Sequence, residues 1–183
     1  MISLESVIEG CRNGDAAMQE ELYRRYSPRY YALCRRYVPD DYLANEALVE
    51  GFLSVFKDIK GYRGDGSFEG WMTTVFVRTV YHLIKRDSRH TPLDDDHPDD
   101  DISENRSIEH QIDIRDALTS ALRKLTDGQR MIVNMIAIEG YTFVEASKML
   151  EEPQSTTKSH YYKALELLKK DLNRKLGKHY LKK

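Results

Sequence analysis

At 183 residues the chain has room for one ordinary domain or two small ones, and its 40% hydrophobic content is enough to build a packed core. The N-terminal residues lack the basic segment and apolar run of a secretory signal, and the longest apolar stretch, 131–138, is far too short to span a bilayer. Cys11 and Cys34 lack the CxxC or Cys/His spacing of redox and metal sites, so we expect both to be buried as small apolar residues. These features favour a globular, cytoplasmic protein without a cofactor or a small-molecule substrate.

The charge is unevenly distributed along the chain, although its net value is only -2. Residues 1–90 carry 13 basic and 13 acidic side chains, residues 91–115 carry 2 and 9, and residues 116–183 carry 13 and 8. A neutral first part and a basic last part are therefore joined by a strongly acidic connector. A basic segment of this kind indicates an acidic partner such as nucleic acid.

Apolar residues recur at helical spacing through most of the N-terminal half, which predicts four helices. The first covers 4–11, and a second, capped by Asp15, runs to about 37 with a kink or a division expected at Pro28. The sequence Pro-Asp-Asp at 39–41 precedes a third helix over 43–59. Three glycines make 61–66 a loop, and Ser67 is a suitable N-cap for a fourth helix that runs toward Arg89.

Residues 91–106, TPLDDDHPDDDISENR, contain two prolines, six aspartates and almost no apolar residues, a composition typical of a solvated, flexible linker. Beyond it, helices are predicted over about 108–125, over 131–138, from a capping box at 142–145 to 150, and from about 154 to 176. No strand-length alternation is present, so the expected fold is all-α. We expect two small helical domains, 1–90 and 107–183, that fold independently and move relative to one another.

The last two predicted helices have the pattern of a helix-turn-helix: a short capped helix, a tight turn at 151–153 and a longer basic helix that begins with polar residues. In such a motif the start of the second helix faces base edges in the major groove. An ordinary helical hairpin with a solvated basic face would have the same pattern, so the pattern alone leaves both interpretations open. The candidate base contacts are Gln154, Ser155, Thr156, Lys158, Ser159 and His160, with Thr142 at the start of the first helix, and Lys163 is suited to phosphate.

Aromatic and basic residues alternate around the glycine-rich loop and the helix that follows it. Stacking on aromatic rings combined with cationic contact to phosphates is the usual way in which proteins hold single-stranded DNA. Phe68 and Trp71 could equally be core residues, and the basic cluster at 85–89 could be a solvated helix end. The candidate contacts from this pattern are Tyr62, Arg63, Phe68, Trp71, Arg78, Lys85, Arg86 and Arg89.

The stretch YRGDGSFEGW at 62–71 resembles the loop and helix start in region 2 of the extracytoplasmic-function (ECF) sigma factors, members of the sigma-70 family of bacterial RNA polymerase. The stretch ANEALVEGFLSVF at 44–56 looks like the region 2 helix that docks on the polymerase clamp. Residues 121–125, 139–141, 145–146, 150 and 156–159 lie where region 4 of the family has its helix-turn-helix. The resemblance covers about 5–175, with three motifs in the expected order.

The resemblance implies a promoter-recognition factor with no catalytic residue of its own, whose partners are core polymerase, promoter DNA and, in many members, an anti-sigma factor. Region 2 would open the minus-ten element, and the helix beginning near Gln154 would read the minus-thirty-five element. The polymerase-facing residues would be Glu46, Val49, Glu50, Leu53 and Phe56. The melted strand and flanking duplex would be held by Phe68, Trp71, Thr74, Arg78, His82 and the basic residues through Arg89.

Several residues depart from the family pattern. Val49 replaces a typical Gln and Glu46 a typical Asp on the docking helix, while Arg78 and His82 stand in place of Asn and Asp. The latter two suggest an altered promoter preference. At 151–152 a Gly-Ile turn is replaced by Glu-Glu, which places acid near the DNA phosphates.

These departures motivate a competing interpretation, in which the chain is a sigma-like regulator or decoy that binds polymerase, DNA or an anti-sigma partner without supporting initiation. A metal protein built on the aspartates of 94–101 is disfavoured, because they lack the turn glycine and ligand spacing of a calcium loop.

Overall fold

The computed structural model describes residues 2–87 and 114–176, with side chains in the second range from 117 onward. Within these ranges the fold is all-α, as predicted, and arranged as two helical domains without a strand. The predicted linker 91–106 and Arg89 lie outside the described residues. The helices are α1 (Leu4–Arg12), α2 (Ala16–Tyr37), α3 (Asp41–Asp58), α4 (Phe68–Asp87), α5 (Ile114–Arg123), α6 (Asp127–Val133), α7 (Phe143–Met149) and α8 (Gln154–Leu176). A 3-10 turn (Ile59–Gly61) follows α3, and a π-helical turn (Asn134–Ile138) follows α6.

Polar side chains begin most of the helices by accepting hydrogen bonds from the first free backbone N–H groups. Asp15 accepts from Ala17 and Met18, and Ser67 accepts from Gly70 at 3.0 Å. Thr142 begins α7 with the predicted capping box, and Thr126 forms a second one at α6. These local signals explain why the predicted starts of α2, α4 and α7 agree with the structure, whereas the helix predicted over 131–138 begins earlier, at Asp127, because the capping box of Thr126 was not recognised.

Pro28 does not divide the second helix, so the expectation of a possible division at this residue was wrong. Helix α2 continues from Ala16 to Tyr37. Proline removes one backbone hydrogen bond, but the apolar face continues on both sides of it, with Leu22 and Tyr30 fully buried in the same core. Tertiary packing outweighs the local loss.

Three aromatic rings at the centre of the N-terminal domain join α2, α3 and α4. Tyr30 stacks on Phe76 with ring centroids 4.3 Å apart, and Phe52 meets Phe76 edge-on at 5.3 Å. The close approach of α3 and α4 depends on Gly51, because a Cβ atom there would lie 2.2 Å from a ring carbon of Phe76. This packing leaves one face of α3 and one face of α4 at the surface.

The C-terminal domain packs α8 against α5 and α6 through a small apolar cluster that includes Leu122, Val133 and Leu168. Lys124 pairs with Asp171 at 2.7 Å and connects the end of α5 to α8. Arg130, only 5% exposed, donates to the carbonyl oxygens of Leu122 and Leu125 at 3.0 and 2.6 Å. This buried guanidinium holds the turn between α5 and α6.

The two domains contact each other directly, which the sequence did not predict. Met131, Met135 and Ala146 of the C-terminal domain belong to the same buried cluster as the core of the N-terminal domain. The expectation of two mobile domains rests on the composition of residues 91–106, whereas the contact comes from the apolar face of α6 and the turn after it. A helical stripe does not reveal whether it is buried within its own domain or against another.

Within 2–87 and 114–176, none of the helices combines the length and the apolar character that crossing a membrane requires.

Candidate nucleic-acid and partner interfaces

Helix α3 presents an apolar face bordered by acidic residues. Val49 is 53% exposed and Leu53 is 62% exposed, so the two aliphatic side chains form a small apolar patch on this face. Glu46 and Glu50 lie on the same face, since the spacing of these four residues is i, i+3, i+4 and i+7. The fifth predicted docking residue, Phe56, is half-buried, with its ring centroid 6.0 Å from that of the core residue Phe52.

Arg86, predicted to contact DNA, forms ion pairs with both acidic residues of this face. Its Nη2 lies 2.6 Å from Glu46 and its Nη1 lies 2.9 Å from Glu50. The hydrogen bond that Arg86 donates to Glu50, with the charges of both carboxylates, raises the pKa of Arg86 above its ordinary value. The structure therefore places Arg86 at the junction between the exposed face of α3 and the end of α4.

The aromatic residues of the glycine-rich loop form a cluster in which only some rings are accessible. Trp71 stacks on Phe68 at 5.5 Å, and Tyr62 meets Phe68 at 5.2 Å. Phe68 is 4% exposed, so its prediction as a base-stacking residue is corrected: the ring supports its neighbours from the core. Trp71 and Tyr62 are half-buried, and Arg63 is exposed beside them.

Helix α4 aligns the remaining predicted contacts on one of its sides. Thr74, Arg78, His82 and Lys85 follow one another at intervals of four, four and three residues. Arg78 and His82 are exposed. Thr74 and Lys85 are half-buried, and each contacts the C-terminal domain, Thr74 through Tyr141 and Lys85 through Glu151.

The start of α8 is exposed and polar, as the helix-turn-helix prediction requires. Gln154, Ser155, Lys158, Ser159 and Lys163 are exposed. The other three predicted contacts are less accessible to DNA. Thr156 and His160 are half-buried, and the Thr142 hydroxyl is hydrogen-bonded to Glu145 in the capping box of α7.

Two glutamates, Glu151 and Glu152, define the turn between α7 and α8, where the family pattern has Gly-Ile. Glu152 accepts a hydrogen bond of 2.8 Å from the buried hydroxyl of Thr157, which holds the turn against α8. Glu151 has φ of +56°, a left-handed conformation that non-glycine residues rarely adopt. Glu151 also accepts a hydrogen bond of 2.9 Å from Lys85 of α4. The sequence could not predict this contact, because it depends on how the two domains are placed relative to each other.

The described residues offer no group of three or more His, Cys, Asp or Glu side chains that could hold a metal ion. Cys11 and Cys34 are buried, and burial raises the thiol pKa to about 11 for Cys11 and to about 12 for Cys34. Both thiols are therefore unreactive at neutral pH.

Comparison with known protein families gives two matches on this chain, one in each domain. The model of Sigma-70 region 2 matches residues 22–90, and the model of Sigma-70, region 4, matches residues 115–168. Among curated proteins, the chain is 22% identical over 179 residues to the RNA polymerase sigma-H factor of Pseudomonas aeruginosa, covering 92% of this chain and 93% of that one. It is 21% identical over 173 residues to the ECF RNA polymerase sigma-E factor of Escherichia coli strain K12, covering 88% and 90%.

Two solved structures have a similar fold. The sigma factor RpoE of Bartonella quintana, in complex with the anti-sigma factor NepR, matches with a TM-score of 0.55 and 16% identity over 84% of this chain and 96% of that one. CnrH, in complex with the cytosolic domain of CnrY, matches with a TM-score of 0.52 and 16% identity over 92% and 96%. At this identity the likeness concerns the fold alone.

Proposed function

Because the chain belongs to the sigma-70 family, as an RNA polymerase sigma factor of the extracytoplasmic-function type, we propose that its two domains divide promoter recognition between them. Domain 1–90 binds core polymerase through α3 and holds the melted minus-ten element with α4 and the loop before it. Domain 107–183 reads the minus-thirty-five element with the start of α8. The observation that carries this proposal is the order of the two matched regions on two helical domains. The chain works in the cytoplasm, where its polymerase is, and leaves phosphodiester synthesis to the polymerase.

Run-off transcription with purified core polymerase and sheared genomic DNA tests the proposal as a whole. We expect defined transcript starts that depend on this chain and share upstream elements. Polymerase binding without any factor-dependent start would instead favour the regulator or decoy interpretation.

The polymerase-docking surface is the exposed face of α3 that contains Val49 and Leu53. An apolar side chain that is 62% exposed costs little to replace in the free protein, whereas a carboxylate buried at an interface without a partner is expensive. Leu53→Asp is therefore expected to reduce the affinity for core polymerase at least about tenfold, which corresponds to about 1.4 kcal/mol. Ile2→Asp, at a 45% exposed position of the same domain, is the control with the same change in charge.

Both variants are measured by fluorescence anisotropy of the labelled chain against core polymerase, with circular dichroism to verify that the helices are retained. Equal affinities of the two folded variants would remove α3 from the interface.

The duplex-binding surface is the exposed start of α8. Each lysine that neutralises a phosphate releases counterions, so its removal lowers affinity and flattens the dependence of log affinity on log salt by about one unit. Lys158→Ala is expected to have this effect on a minus-thirty-five duplex. Lys170, about 18 Å further along the helix at about 1.5 Å per residue, provides the matched control. Identical salt slopes for the two variants would argue against duplex binding at this end of α8.

An anti-sigma factor is the remaining proposed partner. RpoE and CnrH were each solved with a protein partner, NepR and the cytosolic domain of CnrY respectively. We expect a partner of the same class to bind this chain in competition with core polymerase, which displacement of labelled chain from polymerase would measure.

A further inference from the structure

The glycine-rich loop between α3 and α4 begins at Tyr62, and this residue is held at two points. Its hydroxyl donates a hydrogen bond of 2.9 Å to the carbonyl oxygen of Gly66, which closes the loop. Its own carbonyl oxygen accepts a hydrogen bond from Nη2 of Arg12, which lies 50 residues earlier at the end of α1. Arg12 Nε also lies 3.5 Å from the carbonyl oxygen of Ile59. The guanidinium of Arg12 therefore connects α1 to the start of the loop.

Two glycines make the backbone of this loop costly to order. Gly64 and Gly66 have φ of +85° and +97°, and glycine loses more conformational freedom on folding than any other residue. A loop of this composition keeps one conformation only when contacts with other segments offset the lost entropy. Arg12 supplies such a contact from a fixed position, because α1 is anchored in the core by the buried residues Val7 and Cys11.

The contact with Arg12 also sets the direction in which the chain leaves Tyr62. A peptide unit is planar, so the position of the Tyr62 carbonyl oxygen fixes the orientation of the N–H of Arg63. Arg63 is exposed, and the Tyr62 ring lies against Phe68 and Trp71 with centroids 5.2 and 5.4 Å away. Arg12 thus fixes the backbone that presents both an exposed cation and one ring of the aromatic cluster.

The guanidinium of Arg12 has acceptors within the protein for each of its three nitrogen atoms. Besides the two carbonyl oxygens, Glu9 accepts from Nη1 at 3.3 Å, one turn earlier on α1. A guanidinium engaged in three directions holds the fold, whereas a contact to a DNA phosphate would need free donors directed to the solvent. Arg12 also lies outside residues 22–90, the part of the chain that the Sigma-70 region 2 model matches.

We propose that Arg12 is a positioning residue for base recognition by the loop 62–67. The inference rests on the proposed function, in which this loop and α4 hold the melted minus-ten element. Arg12 does not touch the DNA. It keeps Tyr62 and Arg63 in the arrangement that admits one unpaired base beside the half-buried Trp71 ring.

Loss of this contact should lower base selectivity more than affinity. Affinity comes largely from neutralised phosphates and from stacking, and stacking tolerates every base because each has a π-face. Selectivity requires that the groups around the base are held in one geometry. A role in stability alone would predict the opposite, a general weakening without a change in the preferred bases.

The state of the loop can be followed through Trp71, the one tryptophan of the chain. Acrylamide quenching of its fluorescence in the free chain measures how accessible the indole is. Arg12→Met keeps the length of the side chain but removes its donors, so the Tyr62 ring is no longer held beside Trp71. We expect the quenching constant to rise at least about 1.5-fold, as for a loop that opens locally.

Arg25→Met is the matched control, because the guanidinium of Arg25 also donates to a backbone carbonyl oxygen, that of Ile2 at 2.7 Å. The two side chains are similarly covered, 23% exposed for Arg25 and 33% for Arg12. The control should lower Tm about as much and leave quenching unchanged. Arg12→Lys keeps a cationic donor for Tyr62 and should restore most of the parent value. Arg12→Ala, with a good helix former, replaces the Met variant if circular dichroism shows a loss of helix.

Selectivity is measured on the complex of the chain with core polymerase. The probe is a DNA duplex with a single-stranded overhang of six randomised nucleotides, sequenced before and after capture by the complex. We expect the parent to enrich particular bases at defined positions. In Arg12→Met the enrichment should fall at least about threefold at one position or more, while the amount of DNA captured changes less than about twofold. Arg25→Met should keep the parent profile.

The outcomes separate this inference from the proposed function. Base preferences of Arg12→Met equal to those of the parent would overturn the inference alone, whether or not quenching rises. An equal loss of preference in Arg25→Met would also overturn it, because the effect would then be one of general stability. A parent complex without any base preference would contradict the proposed function, and the inference with it. A profile that is flattened in Arg12→Met and restored in Arg12→Lys supports both.

Discussion

Arg130 should be the polar side chain on which the C-terminal domain depends most. Its guanidinium donates to the carbonyl oxygens of Leu122, Leu125 and Tyr37 at 3.0, 2.6 and 3.2 Å, and burial lowers its pKa although Asp127 partly compensates. Substitution with Met keeps the length of the side chain but leaves three buried acceptors without this donor. At about 1 kcal/mol for each, the free energy of unfolding should fall by about 3 kcal/mol.

Thermal unfolding followed by circular dichroism measures this effect, and a loss of that size lowers Tm by roughly 6–12 °C in a chain of this length. Arg174→Met is the matched control, because Arg174 is 71% exposed and its ion pair with Asp171 should contribute less than about 0.5 kcal/mol. Equal Tm values for the two variants would refute the assignment of Arg130 as the residue that holds the turn between α5 and α6.

Three further substitutions test other contacts. Gly51→Ala should destabilise the N-terminal domain by about 1–3 kcal/mol in urea unfolding, since its methyl group would overlap the Phe76 ring; unchanged stability would mean that α3 and α4 can separate freely. Thr142→Ala removes the capping box of α7 and should cost about 1 kcal/mol, with Thr142→Ser restoring most of it. Burial opposes ionisation of Asp171, but the hydrogen bond from Lys124 and the charges of Lys124, Lys175 and Arg174 together keep its pKa below the ordinary value. The stability from this pair is present above the unfolded pKa of about 4 and is lost as pH falls through the folded pKa, so Asp171→Asn should flatten the acid limb of a stability-against-pH curve.

Local signals in the sequence were sufficient for the helices and for the family. The capping residues Asp15, Ser67 and Thr142 act on backbone groups within three residues, so helix starts can be predicted without knowledge of the rest of the fold. The order of the aromatic loop and the helix-turn-helix along the chain identified the family. The run of polar residues at the start of α8 likewise predicts that this end of the helix is exposed.

Residues whose role depends on packing could not be assigned in this way. Phe68 has the composition expected of a stacking residue, yet the core of the N-terminal domain buries it. The charge of Arg86 predicts a phosphate contact, but its ion pairs with Glu46 and Glu50 follow only from the packing of α4 on α3. Burial and pairing are set by distant segments, and the sequence around a residue contains little information about them.

The sequence alone therefore determined where most of the helices begin, which face of each is apolar and which family the chain belongs to, because caps, periodicity and short motifs are properties of neighbouring residues. The start of α6 at Asp127, four residues before the predicted one, is the exception among the helix starts that the structure describes. The tertiary structure decided that the apolar face of α6 closes partly on the other domain and that Glu151 meets Lys85, 66 residues away. Contacts across such a separation depend on how two helical surfaces fit together, and this fit is a property of the three-dimensional arrangement.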